Sequence, residues 1–244
     1  MKQGIFTVAE NREIAPRVFR MRLCGDTDAF TAPGQFCNIR LCGKYLRRPI
    51  SLCDLEDGTA TIIYKVVGAG TEQLSAMKVG DELDVLTGLG NGYDLEKSGG
   101  SPLLLGGGVG IPPLYLAAKR LCAKGCRVSV VLGFNTRAEV FLEEEFRALG
   151  CDVTVATADG SYGKKGFVTD AMPEEYSYFY TCGPEPMLKA VFRAAKTSGQ
   201  FSFEERMGCG FGACMGCTCK TVTGYKRICR DGPVLQKEEI LWNV

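Results

Sequence analysis

Four cysteines near the carboxyl end constrain the fold of this chain more than any other feature of its sequence. Cys209, Cys214 and Cys217 follow the pattern Cys-x4-Cys-x2-Cys, and Cys229 comes after eleven further residues. Three glycines lie between the first three cysteines, and residues this small let a backbone curl tightly. Such a segment suits a loop that brings four thiols together better than it suits a helix or a strand. We therefore expect it to fold around a metal centre.

Two kinds of metal site use four cysteines. The first three cysteines have the spacing with which plant-type ferredoxins bind a [2Fe–2S] cluster, whereas structural zinc sites prefer two separate Cys-x2–4-Cys pairs. The spacing favours a cluster ligated by Cys209, Cys214, Cys217 and Cys229. A four-cysteine zinc site and a set of buried free thiols remain as alternatives. We interpret Cys219 as a neighbour of the cluster and not as a ligand.

The composition removes many function classes at once. A chain with 13 cysteines and no histidine has no Ser–His or Cys–His nucleophile pair, no mixed-ligand zinc finger and no His-ligated haem. Lys plus Arg is 29 and Asp plus Glu is 28, so nucleic acid and anionic membranes are poor partner predictions. The amino-terminal residues show no apolar signal-peptide core, and the cysteines fit a reducing cytoplasm. Glycines and prolines interrupt the uncharged run 98–118, which therefore predicts no transmembrane helix.

The periodicity of apolar residues divides the chain into three parts. Residues 1–97 contain short runs with the two-residue alternation of half-buried strands, such as Val18–Leu23, and predict an antiparallel β-barrel. Residues 98–201 alternate between strands and helices, one helix being expected over Glu139–Leu149, which predicts a parallel sheet covered on both faces. Residues 202–244 hold the cysteine cluster as a small module. The predicted fold class is α/β plus all-β.

Two motifs in the first part suit a flavin diphosphate. Arg48–Ser51 places a guanidinium close to a hydroxyl, and the planar guanidinium fork matches phosphate oxygens. Gly70 and the hydroxyl residue after it follow a later strand, where backbone N–H groups can approach an anion. An Arg-Arg pair such as Arg47-Arg48 is most often a solvated surface feature. With a cluster motif in the same chain, the phosphate-binding interpretation is favoured.

Another binding motif follows the first strand of the α/β part. Gly107–Gly110 is a glycine turn before a helix, and such a turn presents N–H groups and the positive helix end to a pyrophosphate. It is not the G-x-G-x-x-G fingerprint, since Ile111 stands where the last glycine would be. The second strand ends without a ribose-binding acid, and Arg137 there suits a 2′-phosphate, so NAD and NADP both stay open. Cys182 ends a later strand at the ligand-binding edge of the sheet, although simple packing is the commoner role for such a cysteine.

These motifs and their order resemble the ferredoxin–NADP reductase superfamily, and with the cysteine module they resemble the electron-transfer subunits of class 1B dihydroorotate dehydrogenases. The resemblance covers essentially the whole chain and implies an FAD-binding domain over 1–97, an NAD-binding domain over 98–201 and a [2Fe–2S] module over 202–244. The superfamily's flavin motif is Arg-x-Tyr-Ser; Ile50 replaces the tyrosine here, so no aromatic stacking is expected at that position. The residues implied for FAD are Arg48, Pro49, Ile50, Ser51, Ile63, Tyr64, Lys65, Gly70 and Thr71, and those for the nicotinamide nucleotide are Gly107, Gly108, Val109, Gly110, Cys182, Gly183 and Pro184.

The resemblance also implies a mechanism and a partner. An FMN-containing catalytic subunit would oxidise dihydroorotate in pyrimidine (UMP) synthesis, and its electrons would pass singly to the cluster, then to FAD, and as a hydride to NAD⁺. No acid–base residue of this chain is required, and a heterotetramer of two subunits of each kind is expected. One alternative is a stand-alone NAD(P)H oxidoreductase, or one linked to ferredoxin or a hydrogenase. The other is a colourless, zinc-stabilised nucleotide-binding module without turnover.

Overall fold

Six strands from the first 89 residues close into an antiparallel barrel in the computed structural model, which describes residues 1–242. Side chains alternate between the barrel interior and its surface, as the sequence predicts for half-buried strands; Met21 and Leu23, for example, are fully buried. The strand order around the barrel is β1-β2-β5-β4-β3-β6. The elements are β1 (Lys2–Ala15), β2 (Val18–Cys24), β3 (Phe36–Ile39), β4 (Arg48–Glu56), β5 (Thr59–Lys65), α1 (Ala69–Ser75) and β6 (Glu82–Leu89).

The next part of the chain forms a parallel sheet with helices against it. Its first strand is apolar and entirely buried, as expected of a strand covered on both faces. The elements are β7 (Leu103–Gly107), α2 (Pro112–Ala123), β8 (Ser129–Phe134), α3 (Glu143–Ala148), β9 (Asp152–Thr157), β10 (Lys164–Lys165), β11 (Phe179–Cys182), α4 (Glu185–Ala194) and β12 (Gly199–Ser202). Short 3-10 turns lie at Leu95–Lys97, Gly108–Gly110, Arg137–Glu139, Val168–Ala171 and Lys237–Glu239.

The helix predicted over Glu139–Leu149 is wrong in its first half. The segment begins at the end of a 3-10 turn, and α3 starts only at Glu143. Leu142 has a φ of 65°, a left-handed conformation that a continuous helix cannot contain. Phe141 instead packs its ring edge-on against Phe134, with the centroids 5.3 Å apart. Packing into the core thus overrides the local helix propensity.

The cysteine-rich segment is joined to both preceding parts. It contains β13 (Thr218–Thr221), β14 (Gly224–Arg227), α5 (Ile228–Asp231) and β15 (Val234–Gln236). The last of these strands pairs antiparallel with β12 and completes a seven-stranded sheet in the order β10-β9-β8-β7-β11-β12-β15. At the end of the barrel, the Asn91 side chain donates to the Val234 carbonyl at 2.8 Å and accepts from its N–H at 3.1 Å.

The barrel and the sheet also contact each other directly. Helix α2 packs on β4, where the Lys119 ammonium lies 3.0 Å from the Asp54 carboxylate. The buried Tyr93 hydroxyl donates to the Thr181 carbonyl at 3.1 Å. The predicted barrel and parallel sheet are therefore confirmed. Within residues 1–242, no helix has the length and apolar character needed to cross a membrane.

Candidate functional site

The four predicted metal ligands lie together in two pairs. The Cys209 sulfur accepts from the N–H groups of Ala213 at 3.2 Å and Cys214 at 3.4 Å, and the Cys214 sulfur accepts from the Cys209 N–H at 3.4 Å. In the second pair, the Cys217 sulfur accepts from the Cys229 N–H at 3.4 Å. Residues 203–217 have neither helix nor strand, so backbone N–H groups are free to point at sulfur.

The two pairs differ in exposure. Cys214 is exposed, whereas Cys217 and Cys229 are buried. Burial tends to raise the pKa of Cys209, but N–H bonds from its neighbours outweigh it and lower this pKa to about 6. Burial together with the adjacent Cys217 raises the pKa of Cys229 to about 12. The exposed edge of the site is therefore the Cys214 side.

This arrangement fits a two-iron cluster. A [2Fe–2S] cluster takes four thiolates, two on each iron, and the four cysteines are already grouped two and two. Small loop residues with exposed N–H groups supply bonds to sulfur of the kind that tune such a centre. Within residues 1–242, no three His, Cys, Asp or Glu side chains surround a single point as they would around one ion.

Neighbouring residues brace the cysteine loop. Arg227 donates from Nη1 to the Gly212 carbonyl at 2.9 Å and from Nε to the Asp231 carboxylate at 3.0 Å. From the barrel side, the Asn38 amide donates to the Cys209 carbonyl at 3.2 Å. The loop is thus fixed both by the end of β14, just before the helix that carries Cys229, and by strand β3.

The two consecutive arginines of the barrel have different surroundings. Arg47 forms two hydrogen bonds to the Asp84 carboxylate, at 2.9 and 3.0 Å, and another to the Asn38 carbonyl at 3.3 Å. Arg48 begins β4, and its guanidinium lies directly over Gly70, where any side chain would collide with it. The structure therefore brings Arg48 and Gly70 together and leaves the Arg48 fork without a carboxylate partner among the described residues.

The other residues implied for FAD do not share one location or one kind of environment. Pro49, Ile50 and Ser51 continue β4 at partial exposure. The Thr71 hydroxyl is used by the turn itself: it accepts from the Val67 and Gly68 N–H groups and donates to the Gly68 carbonyl.

The β5 residues do not meet at the Arg48–Gly70 contact. Tyr64 lies in the barrel interior, and its hydroxyl donates to Asn11 at 3.0 Å. Ile63 faces a separate 250 Å³ cavity beside Tyr115. Lys65 lines a different cavity, the cleft at the edge of the parallel sheet.

One polar atom next to this strand lacks a partner. Asn38 Oδ1 is the one buried side-chain nitrogen or oxygen atom within residues 1–242 that has no hydrogen-bond partner. Asn38 is opposite Pro49 in the β3–β4 register, and proline has no N–H to offer. Buried acceptors are normally satisfied, so this position, between the flavin motif and the cysteine loop, fits a polar bound group that supplies a donor.

A cleft of 540 Å³ opens along the carboxyl ends of the parallel strands. Ligands of open α/β sheets bind at this edge. The predicted residues Gly107, Gly108, Val109, Gly110, Gly183 and Pro184 all line it. The cleft also takes in Lys65, Gly133–Asn135, Glu139, Ala158, Gly166–Thr169, Pro186, Met187, Ala190 and Glu204.

The glycine turn gives the cleft a bare backbone floor. Gly108 has a φ of 51° and no atom within 4 Å of the position that its Cβ would occupy. At Gly110 a Cβ would lie 2.5 Å from the Cys182 carbonyl oxygen, so only glycine allows the turn to approach β11 this closely. Helix α2 begins just after the turn with two prolines and directs its positive end there. The floor suits a pyrophosphate.

Cys182 itself lies behind the cleft. It is 3% exposed and packs in the core, and burial raises the pKa of its thiol to about 12. The two residues that follow it do line the cleft. The structure therefore places Gly183 and Pro184 against the cleft and Cys182 in the protein core.

Sequence reasoning missed several lining residues. Glu139 comes five residues after β8 ends and is folded back into the cleft by its 3-10 turn. Phe167 lies between the two-residue strand β10 and the 3-10 turn at Val168–Ala171 and is 69% exposed. The Asn-Thr-Arg-Ala-Glu segment after β8 contains an acid, but no pattern indicates that a tight turn carries it inward.

Two family models match the chain. The model described as the iron-sulfur cluster binding domain of dihydroorotate dehydrogenase B matches residues 204–241, and an oxidoreductase NAD-binding domain matches residues 104–193. Among curated relatives, the electron transfer subunit of dihydroorotate dehydrogenase B (NAD(+)) from Bacillus pumilus is 47% identical over 255 residues, covering 98% of both chains. The chain belongs to this family of electron transfer subunits. The subunit of the same name from Fusobacterium nucleatum is 43% identical and covers 98% of this chain and 99% of its own.

Solved structures also match the observed fold. A structure of the NADH-dependent reduced ferredoxin-NADP oxidoreductase superposes with a TM-score of 0.90 at 33% identity, covering 98% of this chain and 91% of that one. The Amycolatopsis cytochrome P450 reductase has a TM-score of 0.69 at 23% identity, which shows a shared fold alone. The family resemblance is confirmed, and the iron–sulfur match to the cysteine segment counts against the zinc alternative.

Proposed function

We propose that this chain passes electrons from the FMN of a dihydroorotate dehydrogenase catalytic subunit through a [2Fe–2S] cluster and FAD to NAD⁺, in the synthesis of pyrimidine nucleotides. The observation that carries the proposal is the position of Asn38. This residue lies opposite Pro49 of the flavin motif on β4, and its side-chain amide donates to the Cys209 carbonyl in the cysteine loop. This link, together with the cleft, supports a path for electrons from the cysteine loop through the flavin motif to the nucleotide cleft.

Each cofactor contributes chemistry that no side chain supplies. When bound, the cluster exchanges single electrons, the flavin exchanges one or two, and NAD⁺ accepts a hydride. The described residues bind and orient these groups. Hydride transfer depends on the alignment of donor and acceptor, which is why the mechanism assigns no acid–base role to this chain.

The residues divide into three binding sets. Cys209, Cys214, Cys217 and Cys229 ligate the cluster, and the loop bonds to Gly212 and Cys209 hold it in place. Arg48 grips the FAD diphosphate from β4, and the bare Gly70 leaves room for the guanidinium to lie flat. The Gly107–Gly110 floor takes the pyrophosphate of NAD, with Gly183 and Pro184 beside the nicotinamide. We propose the domain limits 1–97, 98–201 and 202–244 for these sets.

The partner docks over the exposed edge of the cluster. Phe211 and Met215 lie on either side of Cys214 in the loop and are 44% and 56% exposed. Large apolar side chains that are exposed close to one another mark interaction surfaces. An FMN-containing catalytic subunit seated here would bring its flavin to the exposed thiolate side of the cluster. We propose a cytoplasmic heterotetramer with two subunits of each kind.

Reconstitution with the catalytic subunit tests this function. The cofactor-loaded chain is mixed anaerobically with an FMN-containing dihydroorotate dehydrogenase, the mass of the complex is measured by light scattering, and NADH formation from dihydroorotate is followed. We expect a two-plus-two complex that forms NADH only when both subunits are present. The proposal is overturned if no complex and no NADH form while the chain alone transfers electrons rapidly between NAD(P)H and ferredoxin. That result would support the stand-alone or ferredoxin-linked oxidoreductase.

A further inference from the structure

The order of strands indicates which half of a bound dinucleotide lies at each end of the cleft. The cleft crosses the sheet from β9 through β8 and β7 to β11, because Ala158, Asn135, Gly108 and Gly183 all line it. If the NAD binding proposed above holds, the pyrophosphate lies on the glycine turn after β7 and the nicotinamide lies at the β11 end. The adenosine half then extends over the ends of β8 and β9.

An aromatic side chain supports this direction. Phe167 lines the β9 end of the cleft and is 69% exposed. A large apolar ring left this open at a nucleotide cleft suits stacking with a base. Its position agrees with adenine at the β8–β9 end.

The carboxylate of Glu139 lies at the same end. Its Oε2 accepts two hydrogen bonds from Asn135, from the backbone N–H at 3.1 Å and from the side-chain amide at 2.9 Å. Its Oε1 faces the Lys65 ammonium at 3.9 Å, which is longer than a hydrogen bond. The carboxylate is thus held rigidly by one oxygen, while the other can accept from a ligand.

We propose that Glu139 accepts a hydrogen bond from the adenosine ribose and thereby makes this chain prefer NAD over NADP. A ribose offers a 2′-hydroxyl donor to Oε1, which accepts no hydrogen bond from the described residues, whereas NADP carries a phosphate dianion at the same position. A fixed carboxylate stabilises the hydroxyl and repels the phosphate, and such repulsion is an efficient source of specificity. The proposal rests on the proposed function, since it concerns the nucleotide of that cleft.

Three nearby cations, Arg137, Lys164 and Lys165, do not line the cleft, and the cation that does line it, Lys65, faces Glu139. Arg137, which in the sequence suits a 2′-phosphate, does not line the cleft; its guanidinium lies over the Tyr162 ring, 5.4 Å from the centroid. Lys164 donates to the Asp170 carbonyl, and Lys165 packs against Gly160. Lys65 and Glu204 are the other ionisable side chains lining the cleft within residues 1–242. Glu204 follows β12, beyond the nicotinamide end.

Equilibrium binding to the holoprotein tests the proposal without turnover. The dissociation constants of NAD⁺ and NADP⁺ are measured by calorimetry for the wild type and for Glu139→Gln, which keeps the size of the side chain. We expect the wild type to bind NAD⁺ more tightly and the variant to reduce that preference by about tenfold or more, because a like-charge contact with the phosphate is removed. Visible absorption of the flavin and cluster in the variant confirms that it is folded.

Two control variants distinguish a ribose contact from a general change of charge or of nucleotide affinity. Asp159→Asn removes an acid after β9 whose carboxylate accepts from Ser161 outside the cleft lining, and should leave the preference unchanged. Phe167→Ala should weaken NAD⁺ and NADP⁺ binding by similar factors.

The outcomes are distinct. An unchanged ratio in Glu139→Gln, or a change in Asp159→Asn instead, overturns the role of Glu139 while the proposed function stands. A wild type that binds neither nucleotide contradicts the proposed function itself.

Discussion

The cysteine loop and the dinucleotide cleft hold their ligands by opposite means. The loop has no helix or strand over residues 203–217, and its three thiols, together with that of Cys229 on α5, are the groups that would bind the cluster. The cleft is formed by the ends of buried strands, and its floor is the bare backbone of Gly107–Gly110. One site depends on a few irreplaceable atoms, and the other on a shape to which many residues contribute.

This difference predicts how each site responds to substitution. If the ligand assignment holds, loss of one thiolate would leave an iron one ligand short. Loss of one contact in the cleft leaves the other strand ends and the helix terminus in place. Changes in the loop should therefore act in an all-or-none way, and changes in the cleft should act by degrees.

The largest effect is expected for Cys214→Ser. Substitutions that only support a metal ligand already cost about ten- to a hundredfold, so loss of a ligand should reduce electron transfer from dihydroorotate to NAD⁺ by more than about a hundredfold. FAD should remain bound, since the motif proposed to bind it lies in the barrel. Iron content, flavin content and the coupled rate check this.

Cys219→Ser is the matched control, because it removes a thiol only two residues from Cys217. It should retain the cluster and the coupled activity. Full cluster absorbance in Cys214→Ser, or its loss in Cys219→Ser, would show that the ligands are assigned wrongly.

The two adjacent arginines give the next effect. Arg48→Met should weaken FAD binding by about ten- to a hundredfold, because a charge-assisted hydrogen bond contributes about 1.5–3 kcal/mol, and should change the stability of the apoprotein little. Arg47→Met should destabilise the apoprotein and change FAD binding little, because it breaks the ion pair between Arg47 and Asp84. The two side chains are 18% and 19% exposed. FAD titrations and urea unfolding of both apoproteins measure the two effects. Equal loss of FAD in both variants would contradict the separation of roles.

The smallest effect is expected for Gly110→Ala. The new Cβ would lie 2.5 Å from the Cys182 carbonyl oxygen, and overpacking of this kind costs about 1–3 kcal/mol, so the glycine turn should shift and NAD⁺ binding should weaken by about tenfold. Gly100→Ala, where a Cβ would meet nothing within 4 Å, should be neutral. Thermal unfolding and NAD⁺ calorimetry of the two variants provide the comparison. Wild-type behaviour of Gly110→Ala would mean that the turn is not held tightly against β11.

The same contrast explains what the sequence could predict. The predicted cysteine ligands follow a characteristic spacing in the sequence, so the loop that carries them can be recognised from the order of residues alone. The barrel and the parallel sheet are also visible, because alternating and continuous apolar runs report burial. The roles of the predicted cofactor residues stay predictions, which these variants address.

The cleft was predicted less completely because much of its wall is assembled by tertiary structure. Glu139 reaches the cleft only through a 3-10 turn that interrupts the expected helix, and Leu142 adopts a left-handed backbone just before α3. Phe167 arrives from a connection with no periodic pattern. Cys182 ends a strand as predicted, yet its neighbours fill the space around it and bury the thiol. No local signal distinguishes these cases.

An absorption spectrum of anaerobically purified protein, with iron, sulfide, zinc and flavin assays on the same sample, tests the cluster and flavin assignments most directly. We predict flavin bands over a broad cluster background, iron, sulfide and FAD in about a 2:2:1 ratio per chain, and bleaching on addition of NADH. A colourless protein that carries stoichiometric zinc would contradict the cluster assignment and the electron-transfer function with it.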